Sequence, residues 1–358
     1  MSVNSSSVTS YDVARVAQVS VGTVIRVLNN KPNVDEEIRT RVLQAIDELG
    51  YIYVPKKRQG VAAGGKAGVT LKSVMLCIPP MRNTQALQEI YYYTVLRGAQ
   101  KVCAENDLHL MYNVVDDSVD GLEQVKSSIE RGFVDGLVMI NYGSHDLIEG
   151  IQQLQLPLVL VEPRIPSLFP VDTVASDDFY GGKLAVKHLL SLGHRSIACI
   201  GTTEAYVTQL RFDGYRIALN DAEIVYRPEL FVHVRNDLTI DEGQWAMQQL
   251  LQRGTTFSAV FCMNDNVALG AIRVLNEKGL RVPEDISVVG FDNHEGAALS
   301  QPPLTTIEGT PAQKGMVAIQ RLIDRATRPK SIVIQSVLPV HLVTRASTAA
   351  FQQNIVVI

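Results

Sequence analysis

Tryptophan occurs once in this 358-residue chain, aromatic residues make up only 6%, and there are four cysteines and seven histidines. Each scarcity excludes something. Cys77, Cys103, Cys199 and Cys262 lie far apart, three of them inside apolar runs. That pattern suits reduced, buried thiols, because a thiolate metal site needs clustered ligands. His188 and His194 stand six apart. This spacing is neither the i, i+4 face of a metalloprotease helix nor a finger spacing, so no metal is expected. No nucleophile–base pair stands out, so no catalytic residue and no cofactor are expected either. No apolar run approaches the ~18–20 residues of a membrane span. The opening MSVNSSSVTS lacks a basic cluster followed by an apolar stretch, so no secretory signal is expected. The expected compartment is the cytoplasm.

What is present is length and an uneven distribution of charge. The chain can hold two or three domains with cores of their own. In total, 33 Lys/Arg face 37 Asp/Glu. Residues 1–68 carry nine Lys/Arg against six Asp/Glu, leaving 24 against 31 for the rest. A small basic N-terminal module facing a polyanion, joined to an acidic body, fits this asymmetry.

The stretch GVAAGGKA, residues 60–67, has the glycine and lysine spacing of a phosphate-binding loop, with Ala67 where a metal-binding hydroxyl belongs. Such a loop follows a buried strand and opens a helix. This one follows VPKKRQ and precedes the strand-like VTLKSVMLCI, so the order is reversed. Its position reads as a linker.

Upstream, SYDVARVAQVSVGTVIRVLNNKPNVDEEIRTRVLQAIDELGY reads as three short helices. The first runs from about Tyr11 to Ala17, with Ser10 or Thr9 as cap, and a tight AQVS turn follows. Ser20 caps the second, through about Leu28, whose Val24, Val27 and Leu28 share one face. The third opens at Asp35, buries Ile38, Val42, Ala45, Ile46 and Leu49, and stops at Gly50. Two helices joined so tightly form a helix-turn-helix, whose second helix fits the DNA major groove. Val21, Gly22 and Arg26 would then reach base edges. Arginine matches guanine O6 and N7 with paired donors. Thr23, Tyr11, Asn29 and Tyr51 could hold phosphates, and Thr9 and Ser20 are expected among the DNA-binding residues as well. A helical bundle that merely docks on the next domain is the alternative.

Beyond residue 72, apolar runs alternate with helix-like segments: 73–78, 108–112, 136–140, 157–161, 196–200, 258–262 and 286–290. Continuous hydrophobicity predicts strands covered on both faces, hence parallel sheets with crossover helices. Two such series, broken near residue 175, predict an α/β fold of two doubly wound lobes around a cleft. Ligands in such sheets sit at the carboxyl ends of strands.

The run YDVARVAQVSVGTVIRVLN, with VDEEIRTRVLQAIDELGY after it, resembles the headpiece of the lactose-repressor/galactose-repressor (LacI/GalR) family. SDDFYGGKLAVKHLLSLGHRSIACIG, FCMNDNVALGAIRVLNEKGLRVPEDISVVGFDN, PPLTTI and LVTRAST are similar to segments of the same family. The resemblance spans about Thr9 to Thr348. It implies a transcriptional regulator, most simply a repressor, with a periplasmic-binding-protein-like effector domain. The implied partners are near-palindromic operator DNA, a small-molecule effector (most commonly a sugar) and a second copy of the chain. Under it the chain divides into a flexible N-terminus (1–8), a DNA-binding domain (9–55), a Gly-rich basic linker (56–72), an effector domain (73–346) and a tail (347–358). The effector domain crosses between lobes three times, giving lobe 1 about 73–174 and 307–338 and lobe 2 about 175–306 and 339–346.

The resemblance also assigns effector residues: Tyr91, Tyr92, Glu162, Asp177, Arg211, Leu238, Asn264 and Asp292. Asp177 and Asp292 could instead cap helices, and Arg211 could be an ion-pair residue. Three positions depart from the family pattern. Ile25 replaces a serine that would contact phosphate, Gly22 offers no base-reading side chain, and Leu238 stands where an aromatic is common. In the family, the linker forms a hinge helix with a leucine in the minor groove. Here no leucine lies between Pro55 and Thr70, and glycine occupies 60, 64, 65 and 68. Each glycine disfavours helix by roughly 1 kcal/mol, so Lys56, Lys57 and Arg58 are expected to grip phosphates from a flexible segment. A solute-binding protein without a DNA role, or an α/β enzyme, are the other readings of the body.

Overall fold

The computed structural model describes residues 10–28, 34–49, 71–80, 86–165, 170–235 and 238–352, with the backbone alone at 10, 11, 25 and 86–89. The chain falls into two units, Met1–Ala62 and Ala63–Ile358.

The first unit holds α1 (Ser10–Val16), α2 (Val21–Leu28) and α3 (Glu36–Leu49). The turn after α1 is made by Gln18 in the left-handed region, at φ 53°. Ser20 Oγ then accepts from Thr23 N at 3.1 Å and closes the start of α2. Asp35 Oδ1 does the same for Glu37 N at 2.9 Å, ahead of α3. Val13, Ala14, Ala17, Val24, Val27, Val42 and Ala45 form a small core, with Val19, Leu28, Ile38, Ile46 and Leu49 against it. The expected three helices are present, the first displaced by one residue. Gly50, Thr9, Asn29, Tyr51, Lys56, Lys57, Arg58, residues 1–8 and the stretch 60–67 lie outside the described residues.

The second unit begins with β1 (Ser73–Ile78), α4 (Ala86–Glu105), β2 (His109–Val114), α5 (Val119–Glu130), β3 (Gly136–Ile140), α6 (His145–Gln153), β4 (Leu158–Val161) and β5 (Asp172–Ser176). Then come α7 (Asp178–Ser191), β6 (Ile197–Gly201), α8 (Tyr206–Asp221), β7 (Phe231–His233), α9 (Ile240–Gln252), β8 (Ala259–Cys262), α10 (Asp265–Glu277), β9 (Ser287–Val289) and α11 (Glu295–Leu299). It closes with β10 (Thr306–Glu308), α12 (Pro311–Thr327), β11 (Gln335–Leu338) and β12 (His341–Val343).

Two parallel sheets result, ordered β11-β5-β4-β3-β1-β2 and β7-β6-β8-β9. Each is buried on both faces. Residues of α4 and α12 pack on one side of the first sheet, and those of α5 and α6 on the other. Residues of α9 and α10, and of α7 and α8, cover the second. This double coverage explains why the central strands read as unbroken apolar runs. All four cysteines are buried. Burial pushes the Cys77 thiol up to about 12 and the Cys103 thiol up to about 11, so both remain protonated.

Every strand expected from an apolar run is found within two residues of its place. The short strands β5, β7, β10, β11 and β12 were not foreseen, and they correct the lobe limits. All of β5 belongs to the first sheet, so the first crossing follows residue 176 rather than 174. β10 pairs with β12 and bonds to the loop after β9, so the return to the first lobe comes after residue 308 rather than 306. The chain passes between the two sheets three times. The crossings are tied to one another: Ser176 Oγ donates to Gly309 O at 3.1 Å, and Asp177 N to Leu338 O at 2.9 Å. Nor does the chain leave the second lobe at 347. Ser347 is fully buried, and Phe351 N donates to Leu192 O at 2.8 Å.

Candidate functional site

In the N-terminal unit, Val24 and Val27 turn inward while Gly22 and Arg26, four residues apart, lie on the exposed face of α2. Arg26 has no ion-pair partner among the described residues. Thr23 is half-buried, its hydroxyl 2.9 Å from the capping hydroxyl of Ser20, so the two stand together at the start of α2. Val21 is half-buried against the small core, leaving only part of its side chain to meet a base. Tyr11 falls in α1, and its side chain, like that of Ile25, is not described.

The body brings its polar residues together where the carboxyl ends of the two sheets meet. Arg211, in α8, is the centre. Its Nε donates to Asp178 Oδ1 at 2.7 Å and its NH1 to Met263 O at 2.6 Å. Its NH2 lies 3.2 Å from Asp292 Oδ1, and the guanidinium stacks 3.7 Å from the Phe291 ring centroid. Two glycines let α7 and α8 approach closely enough for this. A Cβ on Gly182 would strike the Arg211 carbonyl, and one on Gly214 would strike the Phe179 carbonyl.

Asp292 is presented by a strained turn. Asp292 and the next residue, Asn293, have φ of 105° and 52°, conformations that cost about 1–3 kcal/mol each unless the surroundings over-determine them. Here they do. Asp292 N donates to Ile307 O at 2.8 Å, Arg345 NH2 to Asn293 Oδ1 at 2.6 Å, and His294 N to Asp265 Oδ2 at 3.0 Å. Asp265 also accepts from the Thr306 hydroxyl. Burial, with Asp292 nearby, holds its carboxyl well above the usual range, while its two oxygens tie the turn to β10.

From the first lobe, Glu162 follows β4 directly and Lys314 lies in the first turns of α12; the two form a buried ion pair. Glu162 Oε1 also accepts from Ser176 N at 3.1 Å, and Lys314 Nζ reaches the Tyr91 hydroxyl at 3.5 Å. The lobes touch at the rim, where Tyr206 N donates to Arg164 O at 3.0 Å.

Electrostatics follow from this crowding. Burial pushes the Asp178 carboxyl up to about 7, with Arg211 opposing the rise and Glu162 of the first lobe adding to it. Burial likewise raises Asp292 against the pull of Arg211. Glu162 goes the other way. Burial would raise it, but Lys314 beside it and Arg211 beyond outweigh that and hold it below the usual range. Burial pulls the Arg211 guanidinium down, and Asp292 and Asp178 more than restore it.

Of the expected residues, the structure thus brings Tyr91, Glu162, Arg211 and Asp292 to one place. Tyr92 lies beside Tyr91 at 5.6 Å, its hydroxyl accepting from Asn141 at 3.2 Å. Asp177 does what the alternative reading allowed: its Oδ1 accepts from Tyr180 N at 2.9 Å and caps α7. Its neighbour Asp178 is the carboxylate that meets Arg211. Asn264 caps α10 through Val267 N at 2.8 Å, while its Nδ2 donates to Leu238 O at 2.9 Å. Leu238 packs partly on the second-lobe core.

Sequence reasoning missed Asp178, Phe291, Asp265 and Lys314. For two of them a clue was there. In SDD, the first aspartate takes the cap, so the second is free to turn inward. Lys314 opens the otherwise apolar stripe Ala318, Ile319, Leu322 of α12, where a lysine has to be paired. Among the described residues, no cluster of metal-ligating side chains occurs and no helix is long and apolar enough to cross a membrane.

Residues 9–53 match the family described as bacterial regulatory proteins, lacI family, and residues 186–348 match a periplasmic binding protein-like domain. The chain is 32% identical over 337 residues to the ribose operon repressor of Haemophilus influenzae, covering 94% of this chain and 97% of that one. Among solved structures it is similar to the transcriptional regulator CelR in its cellobiose complex, with a TM-score of 0.69, 29% identity and coverage of 95% and 99%. It is similar also to the lac repressor dimer bound to operator and the anti-inducer ONPF, with a TM-score of 0.68, 27% identity and coverage of 96% and 100%. Helix-turn-helix, paired parallel sheets and full-length relatives agree: the chain belongs to the lacI family of bacterial regulatory proteins, DNA-binding regulators of transcription.

Proposed function

We propose that this protein is a repressor that acts in the cytoplasm as a homodimer on a near-palindromic operator, and that a sugar-class metabolite in the cleft between its lobes sets its DNA affinity. The observation that carries this reading is the convergence on Arg211. Asp178 and Asp292 hold it from the second lobe, and the Glu162–Lys314 pair faces it from the first. A ligand there touches both lobes, so it can bind one lobe arrangement better than another, which is the requirement for shifting a conformational equilibrium. Similar regulators hold ribose in one solved structure and cellobiose in another, which supports a sugar. On the DNA side, Arg26 reads a base edge from α2, while Ser20, Thr23 and Tyr11, with Thr9, Asn29, Tyr51, Lys56, Lys57 and Arg58, hold phosphates.

The test is Asp292→Ala, measured by operator binding with and without ligand. Operator affinity stays near that of the parent protein, and the ligand response is lost. A normal response in this variant would remove the cleft assignment.

A further inference from the structure

Both buried cations of the cleft are already committed. Lys314 is taken by Glu162 Oε1, and Arg211 by Asp178 Oδ1, the Met263 carbonyl and Asp292 Oδ1. Two oxygens are left over. Glu162 Oε2 and Asp178 Oδ2 are buried without a hydrogen-bond partner among the described residues, on side chains only 8% and 1% exposed. One comes from each lobe, and the two carboxylates feel one another's charge across the cleft. Lys314 keeps Glu162 ionised while burial raises Asp178 and Asp292, so the two cations face up to three carboxylate charges. His294 adds no positive charge, since burial lowers its imidazole and keeps it neutral. Arg164, the other cation near the rim, is exposed to solvent, where water and salt screen it.

An ionised carboxylate oxygen only accepts. A ligand phosphate or carboxylate would bring more acceptors and more negative charge, and would leave both orphan oxygens unmet. A hydroxyl brings the donor each of them lacks. We propose that the cleft selects uncharged polyhydroxyl ligands and rejects their phosphorylated and acidic counterparts, with Glu162 and Asp178 each taking one ligand hydroxyl and Lys314 positioning Glu162. This rests on reading the cleft as the effector site. It also makes the ligand a bridge: each lobe supplies one acceptor, so only a ligand spanning both satisfies the pair.

The test is calorimetry and thermal shift on the full-length chain with matched probes: ribose and ribose 5-phosphate, glucose with glucose 6-phosphate and glucuronate, and cellobiose. The expected result is binding of at least one neutral member, with its charged counterpart at least tenfold weaker. Equal or tighter binding of a charged member overturns the proposal, and so does silence across the neutral members. The near-isosteric Glu162→Gln/Asp178→Asn variant removes two carboxylates at once. It should weaken the neutral sugar by tenfold or more and shrink or reverse the discrimination; unchanged discrimination would assign it elsewhere. Asp292→Ala separates the two levels of the argument. Ligand binding that survives this change sinks the cleft itself, whereas a charged probe that binds the parent and is lost in the variant sinks only the ligand class.

Discussion

Arg26 and Asp178 show how differently a single residue can be read. Arg26 was visible at once, because a helix-turn-helix exposes one face of its second helix and Arg26 stands on it. With no partner among the described residues, it is free to offer both donors to a guanine. Arg26→Ala should cost operator binding about 1–3 kcal/mol and relax preference at one base pair of each half-site. Competition against single-base operator variants measures this, and an unaltered ranking would move readout to another residue. Asp178 was not visible, because which of two adjacent aspartates caps a helix depends on backbone geometry at one residue. Its folded-state behaviour yields a second prediction. Arg211, Glu162 and Lys314 are the charges that face it, and burial raises its carboxyl to about 7. With Oδ1 held by Arg211, a proton on Asp178 sits on the free Oδ2, so a ligand hydroxyl that donates to Oδ2 displaces that proton. Affinity should therefore fall as the pH drops from 8 to 6, by up to about tenfold per unit below the raised value. A flat calorimetric profile would show that the ligand leaves Asp178 untouched.

At the scale of elements, the long central strands and the amphipathic helices were legible, since burial on two faces writes an unbroken apolar run. The three-residue strands β7, β10 and β12 were not. Each is too short for periodicity and is held by its neighbours in the fold. The α7–α8 contact belongs to this scale too. Its glycines are scattered in sequence as GG and DGY, yet Gly182 and Gly214 face each other's helix and let Arg211 reach Asp178. Gly214→Val should push the helices apart, at a cost of about 1–3 kcal/mol by overpacking. The expected readout is a lowered Tm together with a ligand affinity reduced more than tenfold. A variant that lost stability but bound ligand normally would uncouple this contact from the site.

For the whole molecule, three crossings bonded to one another join the lobes, so a ligand that changes the relation of the lobes acts on the segments at Ser176–Asp177, Gly309 and Leu338. The end of the described chain is part of this body as well. His194 Nε2 lies 3.1 Å from Ala349 O, its Nδ1 2.9 Å from Ser258 Oγ, and His188 Nε2 2.9 Å from Thr348 Oγ1. Around His194 stand Ser258, Ser287, Phe351, the His188 imidazole and the charge of Arg195. Burial lowers both imidazoles, so they are neutral in the fold. A depressed histidine contributes stability that is whole above its unfolded value of about 6.5 and is lost as the pH falls towards the folded one. Residues 347–351 should accordingly lose amide protection between pH 7 and 5.5, while the strands of the first lobe keep theirs. Equal loss in both would point to global unfolding instead.

Local and periodic features were settled by the sequence alone: three short helices, the second and third capped by Ser20 and Asp35, with Arg26 outside, apolar runs that must be sheet interiors, and a family resemblance that named Arg211 and Asp292. Their physical cause is short-range, since caps, turns and hydrophobic period act over a few residues. The tertiary structure decided which groups meet. Asp178 rather than Asp177, Lys314 against Glu162, Phe291 beneath Arg211 and Asp265 under a strained turn are pairings between residues up to 152 positions apart. No local pattern encodes such a distance, and the charges of the cleft take their character from burial that only the packed lobes provide.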